Sequence, residues 1–198
     1  MRLMLLFVAQ PAPGEAFPWM CPPLSPFHAV MLYHAMLRDQ LAACQQVEGG
    51  RVRICFAPGV SPGYLDGDLQ WQKQQGQAPA EIMAYAFHSA FETGASEVLA
   101  LGIAPAVVSA EGLWIAFDAL KSHSVVGGRG LLGLSRPLPA LCAVEPSELA
   151  ATAAAYGLGF QSVNTGLSFH DLSYLRRELK GNPERAPFCA MLANASMA

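Results

Sequence analysis

The feature that most constrains this chain is its alternation of short apolar runs with stretches of helical periodicity. Residues 3–9 (LMLLFVA) are unbroken apolar sequence, closed by Pro11 and Pro13-Gly14. A run without polar alternation predicts a strand covered on both faces, as in a parallel sheet. Residues 51–57 (RVRICFA) and 97–101 (EVLAL) predict two more strands, and residues 124–126, 131–134 and 160–163 shorter ones. Helical patterns lie between them. Ser25 and Pro26 supply an N-cap and a proline at the first helical position, opening a helix to about residue 46. Its apolar positions Val30, Tyr33, Met36, Leu37 and Leu41 are expected on one face. Further helices are predicted over residues 80–93, 109–121, 146–156 and 169–180, with Gly94 as a stop and Ser109 as a cap. Residues 10–26 and 58–78 read as loops rich in Pro, Gly and Gln.

Strand and helix alternating at this spacing predict βαβ units: a mostly parallel, Rossmann-like α/β sheet with helices on both faces. One domain is expected over residues 1–180, with residues 181–198 as a Pro-, Asn- and Ala-rich tail. Ligands on such sheets sit at the carboxyl ends of the strands. That directs attention to the loops at 10–24, 58–78, 102–108 and 127–130.

Charge is scarce. Asp, Glu, Lys and Arg make up 14% of the 198 residues, against about 25% in a typical soluble chain. Twelve basic residues, with no basic stretch, argue against nucleic-acid binding. No run is long enough to span a bilayer, and the apolar start is read as a buried first strand, not a signal peptide. Cys21, Cys44, Cys55, Cys142 and Cys189 are widely spaced, without a C-x-x-C pair or zinc spacing. They predict reduced, buried thiols and a cytoplasmic location. The low charge fraction and the apolar stretch Pro187-Phe188-Cys189-Ala190-Met191-Leu192 lead us to expect a homodimer.

Several pieces, in order, resemble one family. Pro11-Ala12-Pro13-Gly14 precedes Leu32-Tyr33-His34-Ala35-Met36-Leu37-Arg38-Asp39. Gln75-Gly76 precedes Glu81-Ile82-Met83-Ala84-Tyr85-Ala86-Phe87, followed by Ala90-Phe91-Glu92-Thr93-Gly94-Ala95 and Val98-Leu99-Ala100-Leu101-Gly102. Leu132-Gly133-Leu134-Ser135-Arg136-Pro137 and Leu175-Arg176-Arg177-Glu178-Leu179 continue the order. Over roughly residues 2–180 the chain is similar to small bacterial GT-A-type transferases of the nucleotide-diphospho-sugar superfamily, those associated with radical-SAM and selenodomain proteins. The resemblance implies a GT-A-like fold.

The family's charged groups do not follow. Phe17 and Trp19 stand where the resemblance implies a Lys and an Arg for the diphosphate, and Ala78 and Ile82 stand where it implies an Asp and an Arg. Gly102-Ile103-Ala104-Pro105 replaces an acidic motif, Gly127-Gly128-Arg129-Gly130 a longer Asp-Gly-Gly stretch, and Thr165-Gly166-Leu167-Ser168 an acidic pair. A sugar nucleotide carries a diphosphate, which such enzymes hold with a divalent cation on carboxylates. Ala, Ile and Leu hold no Mg²⁺ or Mn²⁺, and the leaving group's charge loses its electrostatic stabilisation.

The resulting expectation is a degenerate GT-A-like domain: no catalytic residues, no metal, no cofactor, and a role in binding or as a partner subunit. The candidate pocket is Pro13, Gly14, Phe17, Trp19, Gly102, Ile103, Ala104, Gly128 and Arg129, open to a nucleotide or another small molecule. Phe17 and Trp19 could clamp a planar ligand or pack the loop. Gly127-Gly128-Arg129-Gly130 could be an anion nest or a tight connection. The alternative is an active glycosyl- or nucleotidyl-transferase with relocated ligands, using Asp66, Asp68 and Arg129 with Mg²⁺ or Mn²⁺. A third reading is an apolar small-molecule binder lined by Phe17, Trp19 and Ile103.

Overall fold

The computed structural model describes residues 1–195 save 22–23, 60–64, 66, 68, 103–105, 129, 164–165, 169–171 and 182. Among the described residues, the strands are β1 (Arg2–Val8), β2 (Gly50–Phe56), β3 (Leu69–Lys73), β4 (Glu97–Leu101), β5 (Ala106–Val108), β6 (Val125–Gly128), β7 (Leu131–Leu134), β8 (Phe160–Val163) and β9 (Gly166–Ser168). The α-helices are α1 (Pro26–Gln45), α2 (Pro79–Glu92), α3 (Ala110–Ala119), α4 (Leu149–Ala155), α5 (Leu172–Gly181) and α6 (Pro187–Ala195).

Seven of these strands form one sheet in the order β3-β2-β1-β4-β7-β6-β8, and β5 and β9 form a separate pair. β1 pairs in parallel with β2 and β4, β2 with β3, and β6 with β8. β7 runs against both β4 and β6. The sheet is therefore mostly parallel, as the alternation of elements predicts. The antiparallel strand enters through a tight hairpin in which Gly128 pairs with Leu131.

The apolar first run is explained by its position. Met4, Leu6 and Val8 face α1 and α3, packing with Leu37, Leu41, Leu113 and Phe117. Leu3 and Leu5 face the other way, into a cluster with Phe87, Leu141 and Leu149. Helices cover both faces, so a strand in the middle can expose neither side. The caps fall where the sequence places them. Ser25 Oγ accepts from the His28 N–H at 3.2 Å, and Ser109 Oγ accepts from the Gly112 N–H at 3.1 Å.

Three differences from the sequence reading have physical causes. Residues 69–73, read as loop, are edge strand β3; LQWQK alternates too weakly to declare itself, and its hydrogen bonds come from β2. α1 is buried on two sides, not one. Leu37 and Leu41 face the sheet, while Leu32 and Met36 enter a third cluster with Phe17, Leu175, Leu179 and Cys189. Finally, the stretch read as a tail carries α6, which packs on α1. Asp39 Oδ1 and Oδ2 accept from the Phe188 and Cys189 N–H groups at 3.0 and 2.9 Å, capping α6 from a helix far away in sequence. Cys189 and Ala190 are buried there, so part of the apolar stretch taken as a dimer surface is used within the chain; Phe188 and Met191 stay outward. No helix among the described residues is long and apolar enough to cross a membrane.

Candidate functional site

A cleft of about 1060 Å³ opens at the carboxyl ends of the strands. Phe7 and Ala9 at the end of β1, Gly102 after β4, Gly127 and Gly128 on β6 and Val163 on β8 form its floor. The first turn of α2 and the segment 142–149 form its walls. Glycine is required at two of these floor positions. Gly102 has φ +76°, and a Cβ there would sit 2.7 Å from the Phe7 carbonyl oxygen. A Cβ on Gly128 would meet the Val163 carbonyl oxygen at 2.5 Å, so β6 and β8 approach only because it is absent.

The polar groups at the rim are largely committed to the fold. Gln74 Nε2 donates to the Cys55 carbonyl at 2.8 Å and to the Val8 carbonyl at 3.4 Å, tying the ends of β1 and β2 together. The Ala9 N–H donates to the Tyr33 hydroxyl at 2.8 Å. Burial pushes that phenol up, and the Ala9 hydrogen bond pulls it partly back. At the start of α2, Glu81 Oε2 accepts from the Gln77 N–H at 2.8 Å, so its carboxylate serves the helix terminus. Cys142 lines the cleft, but burial pushes its thiol up to about 12, which makes it a poor nucleophile.

Glu145 is the single charged residue among the described lining. No group of three or more His, Cys, Asp or Glu side chains among the described residues is placed to hold a metal. The buried cation nearest the sheet is engaged elsewhere. Arg53 on β2 donates to Gln70, Gln72, Ser89 and Thr93, at 2.9–3.4 Å, toward the C-terminal end of α2. That end carries the negative pole of the helix, which suits a guanidinium.

The structure brings together part of the expected pocket. Gly102 and Gly128 line the cleft, as do Ala78 and Ile82, two positions where the resemblance implies charged groups. Pro13 and Gly14 are exposed in the loop after β1 and do not line this cleft. Phe17, left open between a ligand clamp and loop packing, takes the second and does not line this cleft: it is 5% exposed and packs with Met20, Leu24 and Leu32, with its ring 6.3 Å from Tyr33. It holds φ 44°, a left-handed backbone that its burial maintains. Trp19 stacks edge-on against Phe17 at 5.7 Å and is 54% exposed, outside the cleft. Ile103, Ala104, Arg129, Asp66 and Asp68 lie outside the described residues.

Sequence reasoning missed the wall at 142–149 and the half-buried Phe7, Met83 and Phe160. The apolar character of these residues reads equally well as ordinary core. Only the relation of helix starts to strand ends separates the two.

The fold has counterparts among solved structures. A Desulfovibrio desulfuricans G20 protein, provisionally described as a nucleotide-diphospho-sugar transferase, superposes with a TM-score of 0.83 at 20% identity, over 98% of this chain and 94% of its own. The 2-C-methyl-D-erythritol 4-phosphate cytidylyltransferase of Thermus thermophilus gives 0.54 at 14% identity, over 98% and 100%. The 4-diphosphocytidyl-2C-methyl-D-erythritol synthase of Anaerococcus prevotii DSM 20548 gives 0.55 at 8%, over 98% and 96%. At these identities the likeness establishes a shared fold. None of the curated proteins matches the chain. One family matches just over half of the sequence, residues 40–142, and the chain belongs to it: the bacterial family described as "Uncharacterized protein conserved in bacteria (DUF2064)".

Proposed function

We propose that this chain keeps the transferase scaffold without metal-dependent sugar-nucleotide transfer, and acts through its cleft as a binding protein or partner subunit. One observation carries this reading. Ala78, Ile82 and Gly102 line the cleft where the family resemblance implies charged groups, and the one charged described lining residue is a carboxylate. A leaving nucleoside diphosphate develops negative charge as its bond to the sugar breaks. Enzymes of this kind offset that charge with a bound cation and basic side chains, and the offset is commonly the largest contribution to rate. The described lining, an apolar wall and one acid, supplies neither.

The test is turnover. The purified chain is incubated with uridine, guanosine and cytidine diphosphate sugars plus Mn²⁺ or Mg²⁺, and free nucleotide is followed by chromatography. The reading expects release at the rate of the protein-free control. Metal-dependent release that an Asp66→Asn, Asp68→Asn double variant abolishes would establish the relocated-ligand transferase instead.

A further inference from the structure

The half-buried apolar side chains around the second core cluster are not scattered. Phe7, Met83, Val144 and Phe160 each pack against that cluster and also line the cleft. Ile82 and Leu131 complete the apolar wall. Apolar surface gathered in one concavity, with a few polar groups at its edge, is the pattern of a small-molecule site. The volume, about 1060 Å³, stands at the upper end of the range for such sites. The polar side chains of the described lining are Gln74, Ser147, Ser162 and Glu145. Gln74 has its amide nitrogen committed to backbone carbonyls, and Glu145 makes no ion pair among the described residues.

We propose that the cleft binds an amphiphilic small molecule with an apolar body and a cationic head, the body against Phe7, Ile82, Met83 and Phe160 and the head paired with Glu145. This rests on the reading that the cleft does not take a metal-bound sugar nucleotide. The argument is charge complementarity. The apolar wall rewards a lipophilic body whatever its head, and Glu145, the one charged side chain of the described lining, sorts the heads. A positive head gains at Glu145; a carboxylate or phosphate head is repelled. Glu145 is exposed, so the discrimination is modest: about fivefold, the size an exposed ion pair supports.

The experiment uses N-phenyl-1-naphthylamine, a neutral probe that brightens in apolar surroundings, and displaces it with decylamine or decanoate below their micelle concentrations. Saturable probe binding is expected, with decylamine displacing at lower concentration than decanoate. Raising the salt to molar levels narrows the gap, because screening weakens an exposed charge. Glu145→Gln closes it. Ser162→Trp, an exposed lining position, fills the cleft and weakens the probe; Ala143→Trp, also exposed on the lining, repeats that test should the first variant fail to fold. Absence of saturable binding, decanoate displacing as well as decylamine, or full probe affinity in a folded tryptophan variant each overturns the proposal. Such a failure without sugar-nucleotide turnover removes only the ligand class; turnover removes the parent reading.

Discussion

Asp39→Ala should release α6 from the body of the protein. Asp39 is 3% exposed and accepts two backbone N–H groups in the first turn of α6, from Phe188 at 3.0 Å and Cys189 at 2.9 Å. Deleting a helix cap costs about 1 kcal/mol. The Cys189 N–H is also buried, and leaving a buried donor unpaired costs about 1–3 kcal/mol. The sum is about 3 kcal/mol. For a chain of this length each kcal/mol lowers the melting temperature by about 2–4 °C, so a drop of about 6–12 °C is expected in a circular-dichroism melt. A second readout is local. Cys189 is buried, and its thiol is pushed far up by burial and by the neighbouring Asp39 charge. In the variant it becomes open to a thiol reagent. A loss below about 0.5 kcal/mol, the scatter of ordinary surface substitutions, would refute the capping argument.

The same carboxylate sets a pH dependence. Burial raises the Asp39 carboxyl above its ordinary value of 3.8, outweighing the two N–H bonds that pull it down. The folded state therefore holds the proton more tightly than the unfolded chain does. The stability this contributes is complete below pH 3.8 and is lost as pH rises through the raised folded value. Asp39→Asn, which cannot titrate, should gain on the wild type across that interval in urea titrations.

Other consequences are more compact. Gly128→Ala places a methyl group against the Val163 carbonyl oxygen and should cost about 1–3 kcal/mol, measured by urea denaturation, through loss of β6–β8 pairing. An unchanged midpoint contradicts the close approach. Cys44, Cys55 and Cys142 have thiols pushed up to about 12 by burial, and Cys189 is higher still. Only Cys21 is partly exposed, so native protein at pH 8 should show one fast thiol with Ellman's reagent and five after unfolding. Fast reaction of a second thiol would show that one of the buried sites opens.

The sheet was legible in the sequence because its strands state their burial. Leu3 to Val8 has no polar face, so it belongs in the middle of a covered sheet; Ser25-Pro26 and Ser109 mark helix starts by chemistry that acts locally. β3 and α6 were not legible. β3 owes its form to pairing with β2, and α6 to a cap supplied by Asp39 across 149 residues of chain. Of the residues the sequence reading proposed for the pocket, Gly102 and Gly128 line the described cleft, because loop position is written in order along the chain. The sequence left Phe17 open between ligand and core, since an aromatic ring in a loop reads alike whether it faces a ligand or the third core cluster. It missed Phe7, Val144 and Phe160 because a core side chain and a cleft side chain have the same composition; only packing decides which flank is left open.

The central claim is electrostatic: we propose that this cleft, whose described lining carries one acid and no base, does not neutralise a diphosphate. Isothermal titration of the chain with uridine and guanosine diphosphate sugars, each with and without saturating Mn²⁺, tests it most directly. The account predicts no metal-dependent heat up to millimolar ligand. Micromolar binding that requires the metal, about 8 kcal/mol of affinity, would contradict it.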